Sequence, residues 1–536
     1  SIIKNKINMS AVVTDQFRIF NASNFVESVL DTNNSYYVFL GLSNPASPNP
    51  GFGRTSTWDS SAPLLPTDNL SYEAQYRSTS LFGQKINANN IRRVIRKVQW
   101  TSNTSYDMYR QDYSIANPSP VSKTARLYDA NYYVVNSDFN VYICLSNGSY
   151  GAPGSTTAAG GKSKDEPTFT DLEPSAAGTS GDGYVWKFLF SISPSDIIKF
   201  DSTEYIVVPN DWSTSTNSQI QNVREAADSD VNFNQIKQVY IENPGSGYNN
   251  GTYSVDILGD GAGAKASVQT VGGIIQSVTV TAGGSGYTYG IVDLGLLQPT
   301  GTSPSTFAKL IPIIPPSRGH GYDVYKELGA DRVLIYARFD DSTRDFPTDT
   351  TFAQVGIVKN PSTFSSKNTV FTGSQYSSLG AIKFGSSFDG SSVSIGSSIF
   401  QTRTDGDVAR GYVASFDKQT NVLKYYQDRS LYYGNNTDQT DYIGVSTDAK
   451  VLGFEATSNS ISFAAGGPSD TSPSIAFTGN TYTDGTREID LGVYFTSGLA
   501  DPEINKTTGD VIYIDNRKSV TRDSRQKEDI KIILEF

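Results

Sequence analysis

Histidine and cysteine, the side chains behind much nucleophilic and metal chemistry, are almost missing from this sequence. Its 536 residues contain one cysteine, Cys144, and one histidine, His320. A single cysteine excludes an internal disulfide framework and fits assembly in a reducing cytoplasm. A single histidine forces any Ser-His-Asp or Cys-His arrangement through His320, and a zinc site of several Cys or His ligands cannot be built within one chain. His320 stands in "PPSRGHGYDVY", where flanking glycines mark a turn, so a solvated or backbone-bonded loop histidine is expected. Long apolar runs are also missing, since none approaches the ~20 residues of a membrane span. The opening "SIIKNKINMSAVV" is too short and too polar for a secretory signal. Positive charge is in deficit, with 43 Lys and Arg against 54 Asp and Glu and a net charge of −11. That balance argues against broad binding to a phosphate backbone, which needs a clustered basic surface. Hydrolysis by two carboxylates stays open in principle, but no pair stands out among so many acids. No catalytic residue, cofactor site or metal site is therefore assigned.

What is abundant points to strands and turns. The chain holds 47 Gly, 32 Tyr and 27 Phe, with aromatic and β-branched residues favouring pleated, half-buried surfaces and Gly, Asn, Asp, Ser and Pro punctuating turns. The length suits two to four domains and a large core. Three motif-like stretches lose their appeal in context. "GDGAGA" (259–264) has the glycines of a dinucleotide fingerprint, but the β-like "KASVQTVGGIIQSVTV" follows it where a helix is required. "IRRVIRKVQW" (91–100) places Ile91, Val94, Ile95 and Val98 at helical spacing, which predicts a core-facing helix with a solvated basic face; contact with an acidic neighbour is the sharper alternative. "RTDGDVARG" lacks the ligand spacing of a calcium loop and reads as a turn.

Along the chain, Asn24 can cap a short helix holding Phe25, Val26, Val29 and Leu30. "SYYVFLGLS" is an apolar strand, followed by a Pro- and Ser-rich loop. "NYYVVNSDFNVYICLSNG" (131–148) reads as a hairpin. Beyond a low-complexity loop, "YVWKFLF" predicts a buried strand, "SPSDIIKF" a short helix capped by Ser193 or Ser195, and "TEYIVVP" a strand closed by Pro209. "IKQVYIENPGSGY" and "IQSVTVTAGGSGY" then repeat, with Ile236 on Ile275, Val239 on Val278, Ile241 on Val280, and GSGY motifs starting at Gly245 and Gly284. Each unit is an alternating strand and a turn whose glycines can take positive φ while the tyrosine packs back. Two copies are too few for a solenoid, so a small pseudo-symmetric β module is expected. "GYVASFDKQTNVLKYYQD" suggests a further hairpin, and "EDIKIILEF" a last strand tied into a sheet.

Several of these segments, taken in order, resemble the baseplate wedge family known as gene product eight of T-even-like contractile-tailed phages. They are "YYVFLGLSNP", "VQW" before "YDMYRQDY", "NVYICLSNG", "GDGYVWKFLF" with "TEYIVVP", "ELGADRVLIYARF" with "FAQVGIVKNP", and "GDVIYIDNRKSV" with "EDIKIILEF". The resemblance implies a mainly β protein: a β-sandwich core with short helices in peripheral loops, spread over 1–230, 317–361 and 505–536. Family members are shorter, and the excess falls in two β-rich modules, 231–316 with the GSGY repeat and 362–504, read as insertions into loops of the core. The implied function is structural and non-enzymatic. Such a subunit sits in the virion's tail baseplate and pairs with itself within each wedge. It holds other wedge proteins, the counterparts of gene products seven, ten and six, until host contact triggers sheath contraction. Assembly in the host bacterial cytoplasm, without nucleic acid or a membrane anchor, goes with it. Trp186, Phe188, Tyr205, Val207, Tyr513 and Asn516 match family positions and are assigned to core or strand pairing. Two other classes compete. Abundant Tyr and Asn and the GSGY module would also suit a peripheral receptor- or carbohydrate-binding tail protein, and a tail glycosidase using two carboxylates is the third.

Overall fold

The computed structural model describes residues 13–42, 79–149, 160–228, 233–299, 303–340, 351–427, 452–523 and 526–536. The Pro- and Ser-rich loop from residue 43 and most of the low-complexity stretch around 150–159 lie outside them. Strands dominate, paired in antiparallel sheets with only short helices between them, as the composition predicts. The chain divides into two compact units. One comprises residues up to 26, 92–334 and 533–536, and the other 27–91 and 335–532.

At the centre of the first unit is a three-stranded sheet of Tyr133–Val135, Asn140–Asn147 and Tyr184–Ser191. The first two strands are the expected hairpin. Asn136 closes its turn, its side-chain oxygen accepting from the Asp138 and Asn140 amides at 3.0 and 2.8 Å. The third strand is "YVWKFLFS", where Trp186, Phe188, Leu189 and Phe190 are fully buried. Trp186 stacks on Tyr184 at 5.5 Å and meets Tyr106 edge-on at 5.8 Å, geometries that add to the area these rings bury. The next helix, Pro194–Phe200, is capped by Ser193, which accepts from the Asp196 amide at 3.2 Å; Pro194 at the first helical position loses no hydrogen bond there.

Two local expectations fail. Residues Ile91–Arg96 form a strand paired with Tyr205–Val208, not a helix. Arg93, read as part of a solvated face, is buried; it donates to the Asn210 carbonyl at 3.2 Å and stacks over Tyr325 at 4.2 Å. The helix near the start, α1, runs from Asp15 to Leu30. The Thr14 hydroxyl accepts from the Phe17 amide at 3.3 Å, so Asn24 lies within the helix instead of capping it.

A two-stranded neck, Val239–Asn243 against Lys309–Pro312, leads into and out of the GSGY region. Beyond it is a four-stranded antiparallel sheet, in the order 274–285, 262–271, 251–259, 290–292. Its core gathers Ile236, Val239 and Ile241 with Val255, Ile257, Val268, Ile275 and Val278. "GDGAGA" spans the turn between two of these strands, with a strand after it. Both GSGY turns behave as the repeat predicts. The glycines at 245, 247, 284 and 286 all have positive φ, and the tyrosines fold inward, Tyr248 to 5% exposure and Tyr287 to 1%. The Tyr287 hydroxyl donates to the Ile257 carbonyl at 3.0 Å and accepts from the Ala264 amide at 3.1 Å. That of Tyr248 accepts from the Ala308 amide at 2.8 Å.

In the second unit, Tyr36–Leu42 runs through the middle of a five-stranded sheet, between 80–85 and 351–359, with 375–377 and 510–521 at the edges. Its buried run without alternation matches a strand covered on both faces. A six-stranded sheet holds the predicted hairpin of Val408–Asp417 and Val422–Tyr426, packed around Ile382, Phe384, Ile399, Val413 and Leu423.

Candidate functional site

His320 is neither solvated nor bonded to backbone. It is 6% exposed, and its Nδ1 lies 2.5 Å from Glu327 Oε1. The short helix Val324–Leu328, capped by the Asp323 side chain, turns Glu327 back toward it. The other carboxylate oxygen accepts from the Gly321 amide at 2.7 Å, and Tyr109 meets the imidazole edge-on at 4.8 Å. Burial of this pair, with the carboxylate held on both oxygens, suits a structural clamp. Cys144 is buried on the central hairpin, and burial pushes its thiol well above the usual range, which disfavours the thiolate that nucleophilic attack requires.

A cleft of about 110 Å³ in the first unit is lined by four arginines and four carboxylates. The first turn of α1 supplies Asp15 and Arg18. Arg96 projects from its strand, Arg126, Tyr128 and Asp129 come from the segment before the central hairpin, and Asp331, Arg332 and Glu535 complete the wall. Arg126 pairs with Asp15 and, at 3.7 Å, with Asp129. Glu535 bridges Arg332 at 2.7 Å and Arg18 at 3.8 Å, and Arg332 also meets Asp331 at 2.8 Å. Arg96 has no carboxylate within this web; it donates to the Tyr128 and Ala130 carbonyls, both at 3.1 Å. Burial raises the Asp331 carboxyl above its ordinary range. Burial first, and then the Asp15 charge, push the Tyr128 phenol up to about 12.

This arrangement offers little to a substrate. Ligand sites usually enclose ~300–1,000 Å³, several times the volume here. The phenol is protonated at neutral pH, and the carboxylates are engaged by guanidinium groups. The web instead ties the first turn of α1 to other segments of the first unit. Among the described residues, no three His, Cys, Asp or Glu come together as ligands of a metal would.

The positions singled out from sequence fall in strands. Trp186, Phe188 and Val207 are buried in the first unit, and Tyr205 lies beneath the Arg332 guanidinium at 5.8 Å. In the second unit Tyr513 pairs with Ile357, and the Asn516 side chain accepts from Gln354 at 3.0 Å. The cleft escaped sequence reading because its residues come from positions 15, 96, 126, 331 and 535, which no local motif links. A second feature did leave a signal: Phe17 and Phe20 on α1, and Val13 just before it, are all more than half exposed.

Comparison with known proteins gives this geometry a context. Residues 11–243 match the family described as Bacteriophage T4, Gp8. The baseplate wedge protein gp8 of Enterobacteria phage T4 is 27% identical over 221 residues, an alignment covering 37% of this chain and 60% of that protein. The matched region contains α1, the central aromatic sheet and the first strand of the neck.

Proposed function

We propose that this chain, which carries a Gp8-family region over residues 11–243, is a structural subunit of a phage tail baseplate and has no catalytic activity. The observation that carries the reading is that the match takes in the sheet around Trp186, whose aromatic residues are fully buried. A baseplate subunit must hold geometry under load, which calls for a dense interior and broad, lasting interfaces. The chain would pair with itself in each wedge and hold counterparts of gene products seven, ten and six, in a virion assembled in the host cytoplasm. It would take part in the rearrangement that precedes sheath contraction. The regions 231–316 and 362–504 are read as insertions into the family core, a view supported by the paired neck strands, which bring the two ends of the first insertion side by side.

Co-expression with the phage's other wedge proteins, followed by size-exclusion chromatography with light scattering, tests this reading. The expected result is a stable complex containing two copies of this chain. A chain that stays monomeric beside those proteins, or that clears host cell-wall material in a zymogram, would overturn it. Specific binding on a glycan array together with a fibre-like trimer would point to a receptor-binding role.

A further inference from the structure

Residues 105–126 contain neither helix nor strand, and connections longer than ~12–15 residues are uncommon in compact domains unless they have a function or lack order. This one is ordered by a buried polar network. Asp107, fully buried, accepts from the Ser119 hydroxyl and the Ser122 amide on one oxygen and from the Asn131 amide at 2.8 Å on the other. Arg110, 1% exposed, donates to the two oxygens of Asp112 at 2.9 and 2.6 Å. Asp112 also accepts from the Asn117 side chain at 2.8 Å, and the Ser114 and Asn117 amides each donate to the other's carbonyl at 3.0 Å. The outcome is a closed turn with Ile115 at its tip, 93% exposed and the most exposed large apolar side chain among the described residues. Single exposed apolar residues are common. A tip fixed in place by buried charged groups is not, because such a network is costly unless every member is satisfied. No charged residue stands between Asp112 and Lys123.

The fixing extends to the neck of the GSGY region. The Arg110 guanidinium stacks over Tyr240 of one neck strand at 4.1 Å, and the Gln111 side chain donates to the Pro312 carbonyl of the other at 3.0 Å. A path of contacts thus runs from the neck through Arg110, Asp112 and Asn117 to the turn. We propose that the turn Ser114–Asn117 is a preformed knob whose Ile115 enters an apolar socket on a different protein of the assembly, with the neck as its brace. The inference rests on the structural reading put forward above and gives the region 231–316 a task. The tip is convex and uncharged. That suits neither a small ligand, which is held in a concave site, nor a nucleic-acid backbone, which needs clustered positive charge. The charged cleft would not take the same knob from a second copy, since desolvating its guanidinium and carboxylate groups under an isoleucine costs more than the apolar contact returns. A socket of apolar residues on another chain matches the tip in charge and shape, and the rigidity of the turn lowers the entropy lost on docking.

Affinity measurements on the full chain against each of the phage's other purified wedge proteins test the proposal. One of them should bind the wild type, and Ile115→Asp should raise that dissociation constant at least about 10-fold, the worth of one buried isoleucine. Because the side chain is exposed in the free chain, the circular dichroism spectrum and thermal midpoint should not change. Tyr240→Leu leaves the tip intact but removes the ring stacked on Arg110. It should speed native-state exchange of the amides in 111–117 and weaken binding by about 2- to 30-fold, the range of a cation–π contact. If the wild type binds none of these proteins, the structural reading and this inference fall together. Binding that Ile115→Asp leaves unchanged removes only the knob, and unchanged exchange in Tyr240→Leu removes the brace. Self-association that is lost in Ile115→Asp would put the socket on a second copy and refute the assignment to a different protein.

Discussion

Removing one oxygen from the second GSGY turn gives a sharp test of how that module is held together. In Tyr287→Phe the ring stays in its pocket, and only the hydroxyl that joins the Ile257 carbonyl to the Ala264 amide is lost. The tyrosine is 1% exposed, so water does not readily replace the missing partner. Leaving a buried donor unsatisfied costs about 1–3 kcal/mol and a lost hydrogen bond roughly 1 more, for a total of about 2–4 kcal/mol. Tyr248→Phe is the internal control, since its hydroxyl has a single backbone partner, the Ala308 amide, and should cost about 1–2 kcal/mol. Because the chain has more than one compact unit, a global melting curve would blur the effect. Native-state hydrogen exchange read by peptide mass spectrometry isolates it. Exchange of the protected amides in 255–292 should speed up by about 30- to 900-fold in Tyr287→Phe, and by much less in Tyr248→Phe. If Tyr287→Phe changes exchange there by less than threefold, or if Tyr248→Phe is the more damaging, the hydroxyl bridge does not hold the module.

Three further outcomes are expected. At Gly284, with φ +63°, an added Cβ would lie 2.5 Å from the Ala262 carbonyl oxygen, whereas Gly272, with φ +66°, has nothing within 4 Å. Gly284→Ala should therefore cost about 3 kcal/mol or more, read by native-state hydrogen exchange of the module, and Gly272→Ala only the ~1 kcal/mol of left-handed strain; equal costs would contradict the crowding. His320→Ala leaves Glu327 buried without its imidazole and should destabilise by about 3–5 kcal/mol, visible as faster native-state exchange of the amides in 320–328, and a loss below about 1 kcal/mol would mean the pair is not a clamp. Asp260 is held down to about 2, from an ordinary 3.8, first by the Thr288 hydroxyl and then by the Thr288 and Tyr289 amides. A depressed carboxyl stabilises the fold above its unfolded value and loses that contribution as pH falls through the folded one, so Asp260→Ala should speed exchange at Thr288 and Tyr289 at pH 5 and make little difference near pH 2.

Where sequence reading succeeded, one residue type carried one physical instruction. Glycines flanking a buried tyrosine fixed the two repeat turns, and Asn136 among alternating β-branched and aromatic residues fixed the central hairpin. It failed where tertiary context outweighed local pattern. The 3.6-residue spacing of Ile91, Val94, Ile95 and Val98 is real, but so short a run suits a strand buried on both faces equally well. Arg93 tipped the balance toward a helix only because a buried, stacked arginine cannot be foreseen from its neighbours. The start of α1 was missed for a related reason. Phe17 and Phe20 face outward, so the first two turns lack the one-sided pattern that announces a helix, and the clean amphipathic signal begins only near Phe25. His320 looked like a loop residue because its partner, Glu327, depends on a five-residue helix that no propensity argument demands. The family resemblance, by contrast, was legible in the ordered segments from "YYVFLGLSNP" to "TEYIVVP", which fall within the matched residues 11–243.

The neck has a consequence for how this protein can be altered. Val239 and Ile241 turn toward the repeat module, while Tyr240 between them lies 4.1 Å beneath the Arg110 guanidinium, and the Gln111 side chain holds the returning Pro312 carbonyl at 3.0 Å. The module beyond the neck is thus fastened at this hairpin and also to the segment before it, where the Ile236 amide donates to the Gly283 carbonyl at 3.0 Å and the Gly286 amide to the Phe233 carbonyl at 2.8 Å. Excising residues 244–308 and joining Asn243 to Lys309 through a tight turn would leave the fastening on Arg110 and Gln111 in place but uncover Ile236, Val239 and Ile241, so a replacement has to bring an apolar face of its own. A stem of that kind sets the terms on which the module can be replaced by an engineer: the two ends already meet, and what must be matched is the apolar face above them.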